Sequence, residues 1–429
     1  MPNIDLITLS GKVGYSLGGQ IGQRGFQELE LATITRLFPK KFSNVPTLRT
    51  RQHILLYWRK GFLKTTILKK FAETLPSKLK VLQLSAFTTE TLLGSAYIPK
   101  NPFEKPRIIA PIAAGYDNLI FLEFTSMLMH GGSPSAKLPF LNDMTEGDPI
   151  VNALIKLGQL KIDETQIVEL NAKKIKYDPD KGTLSYEPDF LVFGASHPFD
   201  KRTLALLIDS GLLDRFHIVQ IRITTDIAKD CIQGEQAIDI NLLQELKRQN
   251  EELSRTEIIS IETPPPNLMQ PLYERLFQLT AIPDYRIKGD FLRAASAHMV
   301  IRHFSEGNPK EAYNADDYTR EDIDFVAKKL EDFVEPRLNP LVADGYPENE
   351  TERGRNYAKI HIIRFLQESK LTGNFGEQLK DIVLNAQGHM SAHYQTVRNA
   401  VQELISQGRV EKVPEKFGYF RLADSERKE

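Results

Sequence analysis

A chain of 429 residues with 41% hydrophobic side chains is long enough for about two to four domains with buried cores. Its single cysteine, Cys231, excludes an internal disulfide framework and fits a reducing compartment. Lys+Arg number 55 against 56 Asp+Glu, so no overall positive field draws the chain to nucleic acid, and such binding must come from local patches.

The first residues, MPNIDLITLSGK, lack the charged and apolar regions of a signal peptide, and no apolar run of about eighteen residues occurs. A cytoplasmic protein without a membrane partner is expected. Residues 1–50, with the glycines of KVGYSLGGQIGQRG and a basic FPKKF, read as an entry segment rather than a domain. From 51 to 228, short apolar runs (HILLYW, KVLQLSAF, NLIFLEF, DFLVFGAS, FHIVQIRI) alternate with helix-like stretches. That alternation predicts an α/β fold around a mainly parallel sheet. Residues 229–335 read as a linker and a helical lid, with helices in NLMQPLYERLFQL, GDFLRAASAHMVIRHF and YTREDIDFVAKKLEDFV. A polar linker, LVADGYPENETERGR, separates these from a small unit at 355–425.

The run ILLYW breaks at Gly61, and Lys64-Thr65-Thr66 then opens a helical pattern. A phosphate loop needs backbone N–H groups around the phosphates, a lysine reaching them and a hydroxyl for Mg²⁺. Gly61, Phe62, Leu63, Lys64, Thr65 and Thr66 are therefore candidates to hold ATP, and Thr65 to ligate Mg²⁺. The usual GxxxxGK[ST] spacing is not met, because Trp58 stands six residues before Lys64 and Leu63 immediately before it. The competing reading is a plain strand-helix junction with a solvated lysine. Downstream, NLIFLEFTSML is an apolar strand ending in Glu123, where a Walker B motif carries the acids that hold metal and activate water. In FLVFGASHPFD the apolar strand has its polar end at Ser196 and His197, placed like a sensor of the γ-phosphate or the attacking water. In LLIDSGLLDRFHIVQI, Arg215 is a candidate arginine finger for a neighbouring subunit, or else a partner of Asp209 or Asp214.

The series resembles AAA+ ATPases, and within them the minichromosome maintenance helicase branch. That branch's GDPGxAKS loop resembles WRKGFLKT, which keeps Gly61, Lys64 and Thr65 at the matching places. DEFxKM resembles LEFTSM, AxNP resembles ASHP, and LLSRFD resembles LLDRFH. The branch's RQLE…R pattern resembles YRIKGDFLR, which places Arg286 and Arg293. The resemblance covers residues 50–335 or so. It implies an AAA+ P-loop core with a helical lid, ATP and Mg²⁺ as cofactors, and a hexameric ring. Glu123 would polarise water, His197 would act as sensor, and Arg215 and Arg286 would act across subunit interfaces. Three positions depart from the pattern: Trp58 replaces the first loop glycine, Leu122 the Walker B aspartate, and His197 the sensor asparagine. With one acid of the pair absent, slow or lost hydrolysis is the alternative expectation.

In the segment GQLKIDETQIVELNAKKIKYDPDKGTLSYEPD, alternating IVEL and KIKY runs around the turn DPDKG read as a β-hairpin. A hairpin before the first sensor touches DNA in the branch resembled, which implies phosphate contacts by Lys173, Lys174, Lys176 and Lys181. Asp163, Glu164, Asp178 and Asp180 leave a merely solvated hairpin open. In the tail, YAKIHIIRFLQES, FGEQLKDIVLN and SAHYQTVRNAVQELISQ predict three helices, and RVEKVPEKFGYFRL two short strands joined by a turn. This order resembles a winged helix-turn-helix. With Val397, Val401 and Leu404 as the apolar stripe, His393, Gln395, Arg398 and Asn399 face outward, and Lys412, Lys416 and Arg421 surround the wing. A protein-interaction module is the alternative. The expectation is an ATP-dependent, helicase-like DNA-binding motor of a mobile element or archaeal-type replicon, with DNA and other replication proteins as partners. The alternatives are a degenerate AAA+ initiator or loader, or a DNA-binding regulator, with little or no ATPase activity.

Overall fold

The computed structural model describes residues 5–58, 60–85, 95–97, 103, 107–109, 111–129, 134–147, 150–153, 167–168, 175–178, 183–199, 201–221, 225–233, 238–279, 285–330, 332–334, 352–371, 376–389, 394–414 and 416–423. They fall into two units, Met1–Tyr273 with Asp284–Leu330, and Glu274–Pro283 with Glu331–Glu429. No helix among the described residues is long and apolar enough to cross a membrane.

The first unit is α/β. Its central sheet has five parallel strands in the order β11 (Phe216–Gln220), β1 (His53–Tyr57), β10 (Leu191–Ser196), β5 (Asn118–Phe121) and β2 (Val81–Leu84). The strands β1, β5 and β10 are buried along their whole length, as the unbroken apolar runs of a sheet covered on both faces require. Two salt bridges fix where the strands start. Arg36 Nη2 lies 2.7 Å from Asp117, just before β5, and Arg51 Nε lies 3.0 Å from Asp189, just before β10. The helices that follow in the chain are α2 (Lys64–Ala72), α3 (Phe124–Met129), α4 (Pro134–Glu146), α5 (Lys201–Asp209), α6 (Thr225–Gln233) and α7 (Ile240–Ser254). Next come α8 (Pro266–Leu279), of which the residues up to Tyr273 belong to this unit, α9 (Tyr285–Ser305) and α10 (Arg320–Lys328), with β12 (Ser260–Ile261) paired parallel to β13 (Ala312–Tyr313).

The entry segment forms α1 (Leu6–Arg36), which is kinked into two limbs at Gly18 and Gly19; Gly19 is left-handed, with φ of 57°. The limbs return antiparallel: Ser10 Oγ donates to the Phe26 carbonyl at 3.0 Å and Gln27 Nε2 to the Ile7 carbonyl at 3.5 Å. They cross where both bear glycine, and a Cβ built on Gly14 would lie 2.1 Å from the Gly22 carbonyl oxygen. The hairpin packs on β1, α2, α6, α7 and α9, so this segment is part of the core unit. No apolar period marks it in the sequence, because the limbs are buried on most sides and glycines stand where they cross. Gly14→Ala is expected to force the limbs apart and destabilise by about 1–3 kcal/mol, as overpacking does. Gly115→Ala, which meets nothing within 4 Å, is the control. Thermal denaturation of both variants checks this.

The strand β8 (Ile175–Asp178) pairs antiparallel with β9 (Thr183–Tyr186), residues 179–182 of DPDKG lying outside the described residues, and β9 also pairs with β6 (Ile150–Ala153). The IVEL run is not the hairpin partner. Its β7 (Ile167–Val168) runs parallel to β4 (Arg107–Ile109), which also pairs with β3 (Ser95–Tyr97). A tight turn joins the runs immediately flanking it, which here are KIKY and TLSY.

The second unit contains α11 (Glu352–Leu371), α12 (Leu379–His389) and α13 (Tyr394–Ser406). A three-stranded antiparallel sheet completes it, in the order β14 (Glu377–Gln378), β16 (Tyr419–Leu422) and β15 (Val410–Lys412). The stripe Val397, Val401 and Leu404 is fully buried against Ile362, Ile382 and Phe420. The strand β14 had no signal in the sequence, since two residues carry no periodicity.

Candidate functional site

Three neighbouring parallel strands end together at one edge of the central sheet. Beyond β1, Gly61 has φ of 91° and Leu63 sits left-handed at φ 56°, immediately before α2. A left-handed non-glycine residue stores strain, and such residues gather at ligand sites. Trp58, in the place of the first loop glycine, turns its indole into the core, where it is 2% exposed. Its Nε1 donates to the Phe62 carbonyl at 2.7 Å and closes the loop. The ring reaches α1, where a Cβ built on Gly25 would lie 4.0 Å from it, an ordinary van der Waals distance. Bulk at position 58 therefore goes inward. Lys64 Nζ donates to the Trp58 carbonyl at 2.7 Å and stands 5.5 Å from the centre of the indole. Burial pulls the Lys64 pKa down to about 8, against the opposing attraction of the Glu123 carboxylate.

Glu123 follows β5 by two residues, and its Oε1 lies 3.0 Å from His197 Nδ1, just beyond β10. Thr65 Oγ1 donates to the Leu122 carbonyl at 3.2 Å. Ser196 Oγ and Thr125 Oγ1 share a hydrogen bond of 2.7 Å, and Ser196 Oγ also donates to the His197 carbonyl at 2.9 Å. Thus Lys64, Thr65, Glu123 and His197 are brought together, at the strand ends where parallel sheets bind ligands. The N–H groups of Thr65 and Thr66 lie in the first turn of α2, which has no acidic residue, so that helix end favours an anion. Thr125 and the inward role of Trp58 were missed in the sequence, where only the distance of Trp58 from Lys64 is visible. Gly18, at the tip of the α1 hairpin, abuts the loop, because a Cβ there would lie 2.5 Å from Leu63 Cδ1. The GG pair was the available signal.

Among the described residues no group of three or more His, Cys, Asp and Glu is arranged to hold a metal ion. The oxygens of Thr65 and Glu123 fit Mg²⁺ held mainly by phosphates and water, which needs only one or two protein ligands.

Arg215 lies at the opposite edge. It precedes Phe216, which is in register with His53, so β1 separates it from the loop by about 13 Å or more. Its Nε lies 2.7 Å from Glu146 and its Nη1 donates to the Gly211 carbonyl at 2.6 Å; the carboxylate is Glu146, not Asp209 or Asp214. A cavity of about 500 Å³ opens there, lined by Arg49, Arg215, Lys288, Arg293, Glu146 and Tyr273 among others. Arg293 Nε donates to the Arg49 carbonyl and its Nη1 to Asp290, both at 2.9 Å. His53, also on this cavity, is held neutral: burial pushes its pKa down to about 4. Its Nε2 bonds the Thr145 carbonyl at 2.9 Å, and its Nδ1 accepts from the Val192 N–H at 3.1 Å.

Of the remaining candidates, Arg286 lies in α9 and Lys176 in β8. Lys173, Lys174, Lys181 and His393 lie outside the described residues. Gln395, Arg398, Lys412 and Lys416 are exposed, and Gln395 Nε2 donates to Asn399 Oδ1 at 2.9 Å. Arg421 is paired with Glu411 at 2.7 Å. The sequence matches no family model and no curated protein.

Proposed function

We propose that this chain is an ATP-dependent, DNA-binding AAA+ motor, helicase-like, working as a ring. The observation that carries the reading is the meeting of Lys64, Thr65, Glu123 and His197 at the ends of three neighbouring parallel strands. Lys64 and the first N–H groups of α2 would bind the phosphates. Thr65 and Glu123 would hold a phosphate-bound Mg²⁺, and His197 would orient the Glu123 carboxylate. Arg215 is compatible with a role across a subunit interface, since it lies too far from its own loop to serve there. Arg286 and Arg293 enter the reading on the resemblance alone. The three helices and hairpin of the second unit support a winged helix-turn-helix that would present Gln395 and Arg398 to DNA.

A second reading has its own support. Leu122 leaves a single acid, and His197 already engages it, which favours an initiator or loader that binds ATP without turning it over. ATP binding and turnover, with and without single-stranded DNA, separate the two. Lys64→Ala is expected to weaken ATP binding at least tenfold, about 1.4 kcal/mol. A bound phosphate would raise the lysine's pKa, so binding takes up a proton near pH 8 and wild-type affinity should fall as pH rises above about 8. Equal affinity of wild type and variant would remove the nucleotide site altogether. Binding without DNA-stimulated turnover would select the initiator reading.

A further inference from the structure

The hairpin of the second unit carries an aromatic ring that no described residue covers. Phe417, at its apex, is 107% exposed, as open to solvent as in an extended peptide. The tip that carries it is closed by three backbone hydrogen bonds: Val413 N–H to the Tyr419 carbonyl at 3.0 Å, Lys416 N–H to the Val413 carbonyl at 3.2 Å, and Tyr419 N–H to the Lys416 carbonyl at 3.2 Å. Gly418, left-handed at φ 79°, makes the turn. The ring is therefore held out on a built support, at the cost of leaving its apolar surface in water. Between 409 and 421 the chain has four cations, Arg409, Lys412, Lys416 and Arg421, against Glu411 and Glu415. Glu411 is taken up by Arg421. Lys412 and Lys416, both exposed, flank the apex.

A flat ring among cations matches a polyanion that also offers flat faces. Nucleic acid has both, because every base presents a π-face beside its phosphates. We infer that Phe417 stacks on an unpaired or terminal base while Lys412 and Lys416 hold the adjacent phosphates. This rests on the reading of the second unit as DNA-binding and goes beyond it, since that reading names only Gln395 and Arg398 as contacts to DNA. Stacking on a base that has lost its own neighbour makes the hairpin a sensor of frayed or single-stranded DNA rather than of intact duplex.

The test uses the full chain with Phe417→Ala, Phe417→Leu and Phe417→Trp, on a forked oligonucleotide bearing 2-aminopurine at the junction and on a matched blunt duplex. Stacking energies per base predict that Phe417→Ala loses about tenfold or more in affinity for the fork. Loss on the blunt duplex should be smaller, and the salt dependence unchanged. Phe417→Leu, apolar but without a π-face, should do no better than alanine. Trp58 is the sole tryptophan and is buried, so Phe417→Trp adds an exposed reporter whose emission should be quenched on the fork. Wild-type fork binding left intact by Phe417→Ala overturns the inference. So does unchanged tryptophan emission, or loss of self-association in Phe417→Ala with DNA binding retained, which would make the ring a protein contact. A wild type that binds neither DNA defeats the DNA-binding reading as well, and is recognised by that.

Discussion

Glu28→Gln is expected to lower the free energy of unfolding by about 3–5 kcal/mol, the cost of leaving a buried charge without its partner. Glu28, in the second limb of α1, is 2% exposed. Its Oε2 lies 3.3 Å from His217 Nε2 in β11, and its Oε1 is bonded by Lys329, just past α10. Three elements distant in the chain are thus joined at one carboxylate. Burial alone would raise its pKa, but the Lys329 cation, with His217, holds it well below the usual carboxylate range. A carboxylate with a depressed folded pKa contributes stability fully above its unfolded value of 4.5 and loses it as pH falls below that. Wild type should therefore lose stability in acid, and Glu28→Gln should show a flatter acid limb from a lower plateau. Glu28→Gln with Lys329→Met removes both charges and should recover much of the loss, because a buried pair is often replaceable as a whole. Urea denaturation of the four proteins of this cycle, at pH 4 and pH 7, measures the coupling. Additive losses would mean that the pair does not interact.

Two residues along, the expected sign is reversed. Glu30 is fully buried, and burial pushes its pKa up to about 8, with a hydrogen bond from Asn250 Nδ2 at 3.3 Å opposing only in part. Its Oε1 has no hydrogen-bond partner among the described residues. At pH 7 the carboxyl is mostly protonated in the folded chain and ionised in the unfolded one. Stability from this group is full below the ordinary value of 4.5 and is lost as pH rises through about 8. At about 1.4 kcal/mol per pKa unit, the loss approaches 4–5 kcal/mol as an upper bound. Glu30→Gln keeps the shape and stays neutral, so it should match wild type near pH 4.5 and exceed it clearly at pH 9. Parallel stability curves for the two proteins between pH 5 and pH 9 would refute the assignment. The neighbours Glu28 and Glu30 act on opposite limbs of the same profile, because only one of them meets a cation.

Neither role was legible in the sequence, where ELELAT shows two acids two positions apart and nothing of what they face. The gathering of Lys64 and Glu123 at one place was more legible. Lys64 and Glu123 stand at the ends of apolar runs, and a parallel sheet gathers its strand ends at one edge. Trp58 read as an obstacle in the loop because its side chain's direction depends on the core it enters, which is lined by elements far from it in sequence. The IVEL run was given to the wrong partner because short strands carry little register information.

The amino-acid sequence alone determined the positions of the buried strands, the helix that starts at Lys64 and the apolar stripe of α13. Each of these is written in a local period or a turn residue, whose physics spans only a few neighbours. Only the tertiary structure decided the order of the strands, the glycine-to-glycine crossing inside α1 and the meeting of Glu28 with His217 and Lys329. It also decided that Arg215 and Arg293 line one cavity at the sheet edge opposite Lys64. These depend on contacts between residues tens to hundreds of positions apart, set by burial and by steric room that no single segment encodes.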